Sequence, residues 1–280
     1  MREVGIIGAG ELGGAIAHLL ARRDLTRAIT IVDETGSVAA GKALDIAQAA
    51  PVEGFATQLS GTTDLAAVAG ADVIVVAEAV KGGEWQGDAA LQLLRRLAAS
   101  GPRAVILCAG GASRDAIERG VRELKIRRER LVGTAPEALA AGVRALVALH
   151  VNGSPRDVAL SVLGAPPQQA VVAWEEATIG GFALTRQIDE PARRQMAARV
   201  AALWPPGPHA LAAAAVKAIA SIEGRARQVV SCFVGPDTTS GTRTRATALP
   251  VRFDAWGVAG VVMPALSVVE RVALDNAMQV

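Results

Sequence analysis

Residues 4–33 decide the fold, and they read V-G-I-I-G-A-G-E-L-G-G-A-I-A-H-L-L-A-R-R-D-L-T-R-A-I-T-I-V-D. An apolar run long enough for one buried strand stops at Gly8, and the pattern Gly8-x-Gly10-x-x-Gly13 follows at once. Small and apolar residues then recur at helical spacing, and a second apolar run closes on Asp33. Strand, glycine turn, helix, strand and acid in this order predict a βαβ unit that binds a dinucleotide.

The residue types of the glycine turn match what a bound pyrophosphate requires. Gly8 permits a tight turn, Gly10 lets the pyrophosphate approach bare backbone, and Gly13 lets the helix pack closely on the strand. The backbone N–H groups of Glu11 and Leu12 should face the phosphates at the positive end of the helix dipole. The alternative is a glycine turn that only packs a helix against a sheet.

Asp33 predicts which dinucleotide binds. It lies at the end of the second strand, where its carboxylate can accept hydrogen bonds from both hydroxyls of an adenosine ribose. The same carboxylate would repel a 2′-phosphate, so NAD is favoured over NADP. We therefore expect NAD as the cofactor, and we expect no metal site.

Composition and charge exclude several classes of function. The net charge of +2 over 280 residues gives no sign of a nucleic-acid partner. No uninterrupted apolar window is long enough to span a bilayer, and the first strand begins too early to leave room for a signal peptide. Cys108 and Cys232 each lie in an apolar run, which indicates buried thiols. We expect a cytoplasmic protein without membrane contact.

The remaining pattern predicts an α/β fold with two domains. Apolar strands alternate with helices as far as Pro136, which is typical of a doubly wound parallel sheet. We predict a Rossmann NAD-binding domain over residues 1–136 and a C-terminal α+β domain over residues 137–280. A helix is predicted over residues 37–50 and is expected to end at Pro51. Its broad apolar surface suggests a subunit interface.

The order of these elements resembles the lactate/malate dehydrogenase family over nearly the whole chain. The most specific segment is G-K-A-L-D-I-A-Q-A-A-P-V-E-G-F at residues 41–55, which is similar to the family's helix after the second strand. Strands are predicted over residues 72–77 and 158–163. The segments 71–76 and 157–164 resemble the family's fourth strand and the strand that enters its active site. Leu249-Pro250-Val251, with the glycines at 257 and 260, resembles its last hairpin.

The resemblance implies an oxidoreductase that moves hydride between NAD and a small 2-oxo or 2-hydroxy acid, in a homodimer or homotetramer. Such an enzyme needs a histidine that exchanges a proton with the substrate oxygen, an aspartate that orients this histidine, and an arginine that clamps the substrate carboxylate. An alignment without gaps puts Pro166 in the histidine position, Leu139 in the aspartate position and Gly142 in the arginine position. A proline side chain can neither donate nor accept a proton.

Two charged residues remain near the missing aspartate and arginine. Arg144 lies two residues beyond the clamping position, and Glu137 could replace the acid only if the local alignment slides by two residues. The family's mobile loop usually carries two arginines, but residues 78–88 offer only Lys81 and add acids. The asparagine expected after the fifth strand is replaced within residues 108–111.

The sequence therefore supports two hypotheses about activity. The loss of general acid–base catalysis alone costs about 10²–10⁴ in rate, which favours lost or altered 2-oxo acid chemistry in a protein that binds NAD as a sensor or an oligomer subunit. The alternative is an active dehydrogenase that uses other residues, with Arg144 and His209 as candidates. His209 starts the helix that, by resemblance, borders the nicotinamide site. His18 and His150 have simpler explanations as a partly solvated helix residue and a helix cap.

Overall fold

The computed structural model describes residues 3–237 and 245–279. The predicted βαβ unit is present as strand β1 (Glu3–Ile7), helix α1 (Glu11–Arg22) and strand β2 (Ala28–Val32). The chain continues through α2 (Gly36–Glu53), β3 (Gln58–Thr62), β4 (Val73–Val76), α3 (Gly87–Ser100), β5 (Val105–Cys108), α4 (Arg114–Arg122) and β6 (Leu131–Gly133). Single turns of 3₁₀ helix precede β4 and β6.

The first six strands form one parallel sheet in the order β3-β2-β1-β4-β5-β6. This is the strand order of a doubly wound dinucleotide-binding fold, and the predicted fold class is confirmed. All residues of β4 and β5 are buried, as expected for strands covered by helices on both faces. Because parallel strands end at the same edge, the residues after β1, β2 and β4 meet there.

The second half of the chain adds helices and antiparallel strands. Its elements are α5 (Ala135–His150), β7 (Val158–Ala159), β8 (Val162–Ala165), β9 (Gln169–Val172), β10 (Thr178–Ile179), β11 (Phe182–Ala183), α6 (Glu190–Arg199), α7 (Pro208–Ile222), β12 (Val230–Val234), β13 (Thr247–Asp254), β14 (Gly257–Val261) and α8 (Val268–Ala277). Strand β12 pairs antiparallel with β6, and β13, β8 and β9 extend the same sheet. Strands β7, β10 and β11 form a separate small sheet.

The predicted domain boundary between residues 136 and 137 falls inside α5, and the main sheet passes from β6 directly into β12. One large hydrophobic cluster includes residues from both halves, and α1 packs against α7. A second cluster lies beneath α5 and α6. The division into two domains stays a prediction.

Two predicted elements have boundaries that were wrong. Helix α2 does not stop at Pro51 but continues to Glu53 and ends at Gly54, which adopts the left-handed conformation with φ +78°. Pro51 lies in the last turn of the helix, so its missing N–H interrupts the hydrogen-bond ladder only near the end. The strand predicted at residues 158–163 is two short strands in two different sheets, because β7 pairs with β10 whereas β8 pairs with β13.

Both cysteines are buried free thiols, as predicted. Burial raises the pKa of the Cys108 thiol to about 12, so this side chain is not a reactive thiolate at neutral pH. Within the described ranges, none of the helices combines the length and the apolarity that a bilayer-spanning segment requires.

Candidate functional site

The glycine turn between β1 and α1 has the geometry that the sequence predicts. Gly8 has φ +109°, and a Cβ atom built on it would lie 2.2 Å from the carbonyl oxygen of Glu78. A Cβ on Gly13 would lie 2.0 Å from the carbonyl oxygen of Gly8. Neither position can take a side chain without moving the backbone, so both glycines are required for the close approach of α1 to the sheet.

The space in front of Gly10 is filled by the side chain of Glu78. A Cβ on Gly10 would lie 2.2 Å from Glu78 Oε1. The backbone N–H of Leu12 donates a hydrogen bond of 2.6 Å to Glu78 Oε1, and the N–H of Gly10 donates one of 3.2 Å to the Glu78 carbonyl oxygen. Glu11 opens α1 with an exposed side chain. The Leu12 donor that we expected to face a phosphate therefore binds a carboxylate of the chain itself.

The Glu78 carboxylate is only half satisfied. Its second oxygen, Oε2, is buried and has no hydrogen-bond partner among the residues that the structure describes. A buried acceptor without a partner costs about 1–3 kcal/mol. Lys42 of α2 brings a positive charge to the same turn, where its Nζ donates a hydrogen bond of 2.7 Å to the Gly10 carbonyl oxygen.

Asp33 is buried and binds three backbone N–H groups. Its Oδ2 accepts hydrogen bonds from Ala9 at 2.9 Å and from Val80 at 3.0 Å, and its Oδ1 accepts one from Thr35 at 2.8 Å. Burial acts to raise the pKa of Asp33, but the three backbone hydrogen bonds outweigh it and lower that pKa below its usual range. The predicted ribose acceptor is thus a charged group that joins the glycine turn to the loop after β4.

That loop is attached at both ends by carboxylates, and we call its residues 78–84 the strap. Near its end Glu84 accepts two backbone hydrogen bonds from the loop after β5, through Oε1 from Gly111 at 3.1 Å and through Oε2 from Ala112 at 2.7 Å. Between the ends, the N–H of Ala79 donates to the carbonyl oxygen of Gly83 at 3.0 Å. The acids that the sequence adds to this loop therefore tie it to the carboxyl edge of the sheet.

The three positions assigned to substrate chemistry are apolar or packed. Pro166 is buried in the turn between β8 and β9. Leu139 is buried in the core beneath α5. A Cβ on Gly142 would lie 3.2 Å from Leu203 Cδ1, so a side chain there requires the Leu203 side chain to shift by a few tenths of an ångström.

Glu137 and Arg144, the two possible replacements, bind each other. Glu137 is buried, and its Oε1 lies 2.9 Å from Arg144 Nη1 and 2.7 Å from Lys217 Nζ. Its Oε2 accepts a hydrogen bond of 2.9 Å from the N–H of Ser231. Arg144 Nη2 also donates to the carbonyl oxygen of Leu160 at 3.2 Å. This network joins α5, α7 and β12, and it borders a cavity of about 560 Å³ that Arg144 and Lys217 help to line.

The histidines occupy exposed or partly exposed positions. His209 is exposed in the first turn of α7, whereas the other candidate, Arg144, is partly buried in α5. His18 lies 3.4 Å from Glu53 Oε1, and His150 is exposed at the end of α5. In the described part of the chain, no group of three or more His, Cys, Asp and Glu side chains is arranged to hold a metal ion.

Comparison with known proteins identifies the glycine-turn domain. Residues 2–96 match the family model described as lactate/malate dehydrogenase, NAD binding domain. This part of the chain is thus similar to the NAD-binding domain of the lactate/malate dehydrogenase family. The family resemblance and the NAD cofactor that the sequence predicts are both confirmed.

Solved structures of lactate and malate dehydrogenases share the fold over the whole chain. Malate dehydrogenase from Salinibacter ruber is 22% identical with a TM-score of 0.87, covering 98% of this chain and 93% of its own. Malate dehydrogenase from Aeropyrum pernix is 19% identical with a TM-score of 0.87, covering 99% and 95%. Lactate dehydrogenase from Cryptosporidium parvum, complexed with lactic acid and nicotinamide adenine dinucleotide, is 21% identical with a TM-score of 0.86, covering 99% and 94%.

The family's cofactor does not fit the described conformation of the site. The glycine turn has the required shape, but the Glu78 carboxylate occupies the space in front of Gly10 and the Leu12 donor. Asp33 is held by Val80 at the oxygen that also binds Ala9. A pyrophosphate can reach the glycine turn only if the Glu78 side chain moves.

Glu78 was not predicted as a site residue, although its position in the sequence indicates that it lies near the glycine turn. It follows the buried strand β4 after a single alanine, and β4 lies beside β1 in a doubly wound sheet. A carboxylate at that point of the chain must lie near the glycine turn. Glu84 had no comparable signal, because its partners follow β5 and depend on the path of the loop.

Proposed function

We propose that this protein is an NAD-binding homologue of the lactate and malate dehydrogenases whose 2-oxo acid chemistry is lost or altered. The observation that carries the proposal is the closed network of Glu137, Arg144 and Lys217. Glu137 and Arg144, the acid and the arginine nearest to the missing catalytic positions, bind each other, and Lys217 binds the same Glu137 oxygen. Neither is free to orient a histidine or to clamp a substrate carboxylate.

The size of the expected losses in catalytic rate supports the same conclusion. Without a proton donor in the Pro166 position, general acid–base catalysis worth about 10²–10⁴ in rate is absent. Misplacement of the substrate through loss of the clamp can remove about 10²-fold more. Leu139 and Gly142 add no charged group that could compensate.

We further propose that residues 137–280 form a substrate-type α+β domain and that the protein acts in the cytoplasm as a homodimer or homotetramer. Apolar side chains on α2 support the assembly, because Leu44 and Val52 are 61% and 89% exposed in the single chain. Burial of such residues against a second subunit would remove apolar surface from water.

The direct test is steady-state reduction of oxaloacetate and pyruvate by NADH with the unmodified protein. We expect negligible turnover. Rates of ordinary dehydrogenases, typically about 1–10³ per second, would overturn the proposal. In that case His209→Ala and Arg144→Ala distinguish which residue supports an active 2-hydroxy acid dehydrogenase.

A gain-of-function series provides a second test. Pro166→His alone should not restore turnover, because the orienting acid and the clamping arginine are still missing. The complete variant combines Pro166→His, Leu139→Asp and Gly142→Arg with loop arginines at Lys81 and Asp88. The arginine is not placed at the neighbouring Gly82, because Gly82 has φ +107° and a side chain there is strained.

A further inference from the structure

We propose that the strap is a built-in competitor of the dinucleotide: the Glu78 carboxylate holds the pyrophosphate position, and NAD binds only when the strap is released. The inference rests on the NAD-binding part of the proposed function and is independent of whether 2-oxo acid chemistry survives. Under this proposal Glu78 and Val80 control the affinity of the protein for NAD.

The first step concerns the anion position at the start of α1. Unpaired N–H groups and the helix dipole make this position favourable for a phosphate or a carboxylate. Glu78 supplies the carboxylate at 2.6 Å from the Leu12 nitrogen. A pyrophosphate must displace Glu78, because both anions need the same N–H group and the same space in front of Gly10.

The second step concerns the ribose position. Val80 of the strap donates its N–H to Asp33 Oδ2, and it competes there with a ribose hydroxyl of the cofactor. Glu78 and Val80 are two residues apart on the same strand-end loop. A dinucleotide therefore competes at its phosphates and at its ribose with one and the same segment.

The third step concerns how the strap can move as a unit. Gly82 and Gly83 have φ +107° and +72°, and they form the turn that lets Gly83 accept the hydrogen bond from Ala79. Beyond the turn, Glu84 anchors the segment on Gly111 and Ala112. The buried Glu78 Oε2, which has no partner among the described residues, lowers the stability of the closed position. Release exposes that unsatisfied oxygen to solvent.

The apparent affinity for NAD is then the intrinsic affinity multiplied by the fraction of molecules with an open strap. Removing the competing carboxylate raises that fraction and tightens binding. The alternative is a purely structural clasp, in which loss of Glu78 loosens the cradle and weakens binding. The two hypotheses differ in the sign of the effect.

The test is calorimetric titration of NADH, ADP-ribose and adenosine into the wild type, Glu78→Ala and Glu78→Gln. We expect Glu78→Ala to tighten NADH and ADP-ribose by at least about tenfold, and Glu78→Gln to tighten them by less. Adenosine competes with Val80 of the same strap, so Glu78→Ala should tighten its binding as well. The matched control is Glu34→Ala, which removes an exposed carboxylate next to Asp33 and should leave all three affinities within about twofold.

Unchanged, weakened or undetectable NADH binding by folded Glu78→Ala would overturn the proposal, as would an unchanged affinity for adenosine. Hydrogen exchange of the wild type keeps the test decisive if the variants do not fold. Saturating NADH should speed exchange of the Val80 amide relative to a reference segment such as β5, whereas slower exchange at Val80 would overturn the proposal. Turnover of a 2-oxo acid by the wild type would refute only the proposed loss of chemistry.

Discussion

The N–H of Val80 donates a hydrogen bond of 3.0 Å to Asp33 Oδ2, across 47 residues of sequence. The same oxygen accepts a hydrogen bond from Ala9 in the glycine turn. The residue expected to recognise the adenosine ribose is therefore also the residue that holds the carboxyl edge of the sheet together. Its mutation should affect both cofactor recognition and stability.

Asp33→Asn should destabilise the fold by about 1.5–3 kcal/mol at pH 7, because it removes the charge from three buried hydrogen bonds. The pKa of Asp33 is lowered in the folded protein from its usual value of 3.8. The contribution is therefore fully present above pH 3.8 and is lost as the pH falls through the lower, folded-state pKa. The free energy of unfolding, measured with urea, should differ between the wild type and Asp33→Asn by a constant amount from pH 7 to pH 5. The difference should be smaller below pH 3.8. A difference in unfolding free energy that grows as the pH falls would contradict the prediction.

Asp33 should also determine cofactor preference. We expect NADH to bind at least about tenfold more tightly than NADPH, because the carboxylate repels a 2′-phosphate. Asp33→Ala should remove the preference, and Glu34→Ala should retain it. Titration calorimetry of both cofactors measures the ratio, and equal affinities in the wild type would contradict the prediction.

Glu137→Ala should destabilise the protein by about 3 kcal/mol, because it leaves the partly buried charges of Arg144 and Lys217 without their partner. The double variant Glu137→Ala/Lys217→Met should recover part of the loss. Glu175→Ala, at an exposed position, should stay within about 0.5 kcal/mol of the wild type. Urea unfolding monitors all three. A loss below about 1 kcal/mol for Glu137→Ala would indicate that the acid is available for another role.

The assembly prediction concerns α2. We expect a homodimer or larger by light scattering at micromolar concentration, and Leu44→Asp should shift it toward the monomer. Leu149→Asp is the matched control, because Leu149 is also exposed, at 79%, but lies at the end of α5. A monomeric wild type would contradict the prediction. An equal effect of both substitutions would show that α2 is not the specific interface.

Local elements with strong periodicity were predictable because their determinants lie close together in the chain. The apolar run at residues 72–77 predicted a buried strand, and β4 is buried at every residue. Residues 158–163 were misassigned as one strand because β7 and β8 are separated only by their partners, β10 and β13. Periodicity along one segment carries no information about which strands pair with it.

The sequence by itself determined the βαβ unit, the doubly wound sheet and the NAD cofactor of the domain. Each of these depends on residue type and on spacing within a short segment. Only the tertiary structure decided what the charged residues do, because their partners are distant in sequence. Glu78 binds Leu12 across 66 residues, and Glu137 binds Lys217 across 80. Such contacts depend on how the strands and helices pack against each other. The backbone N–H groups and cations that packing places beside a carboxylate then determine what it binds.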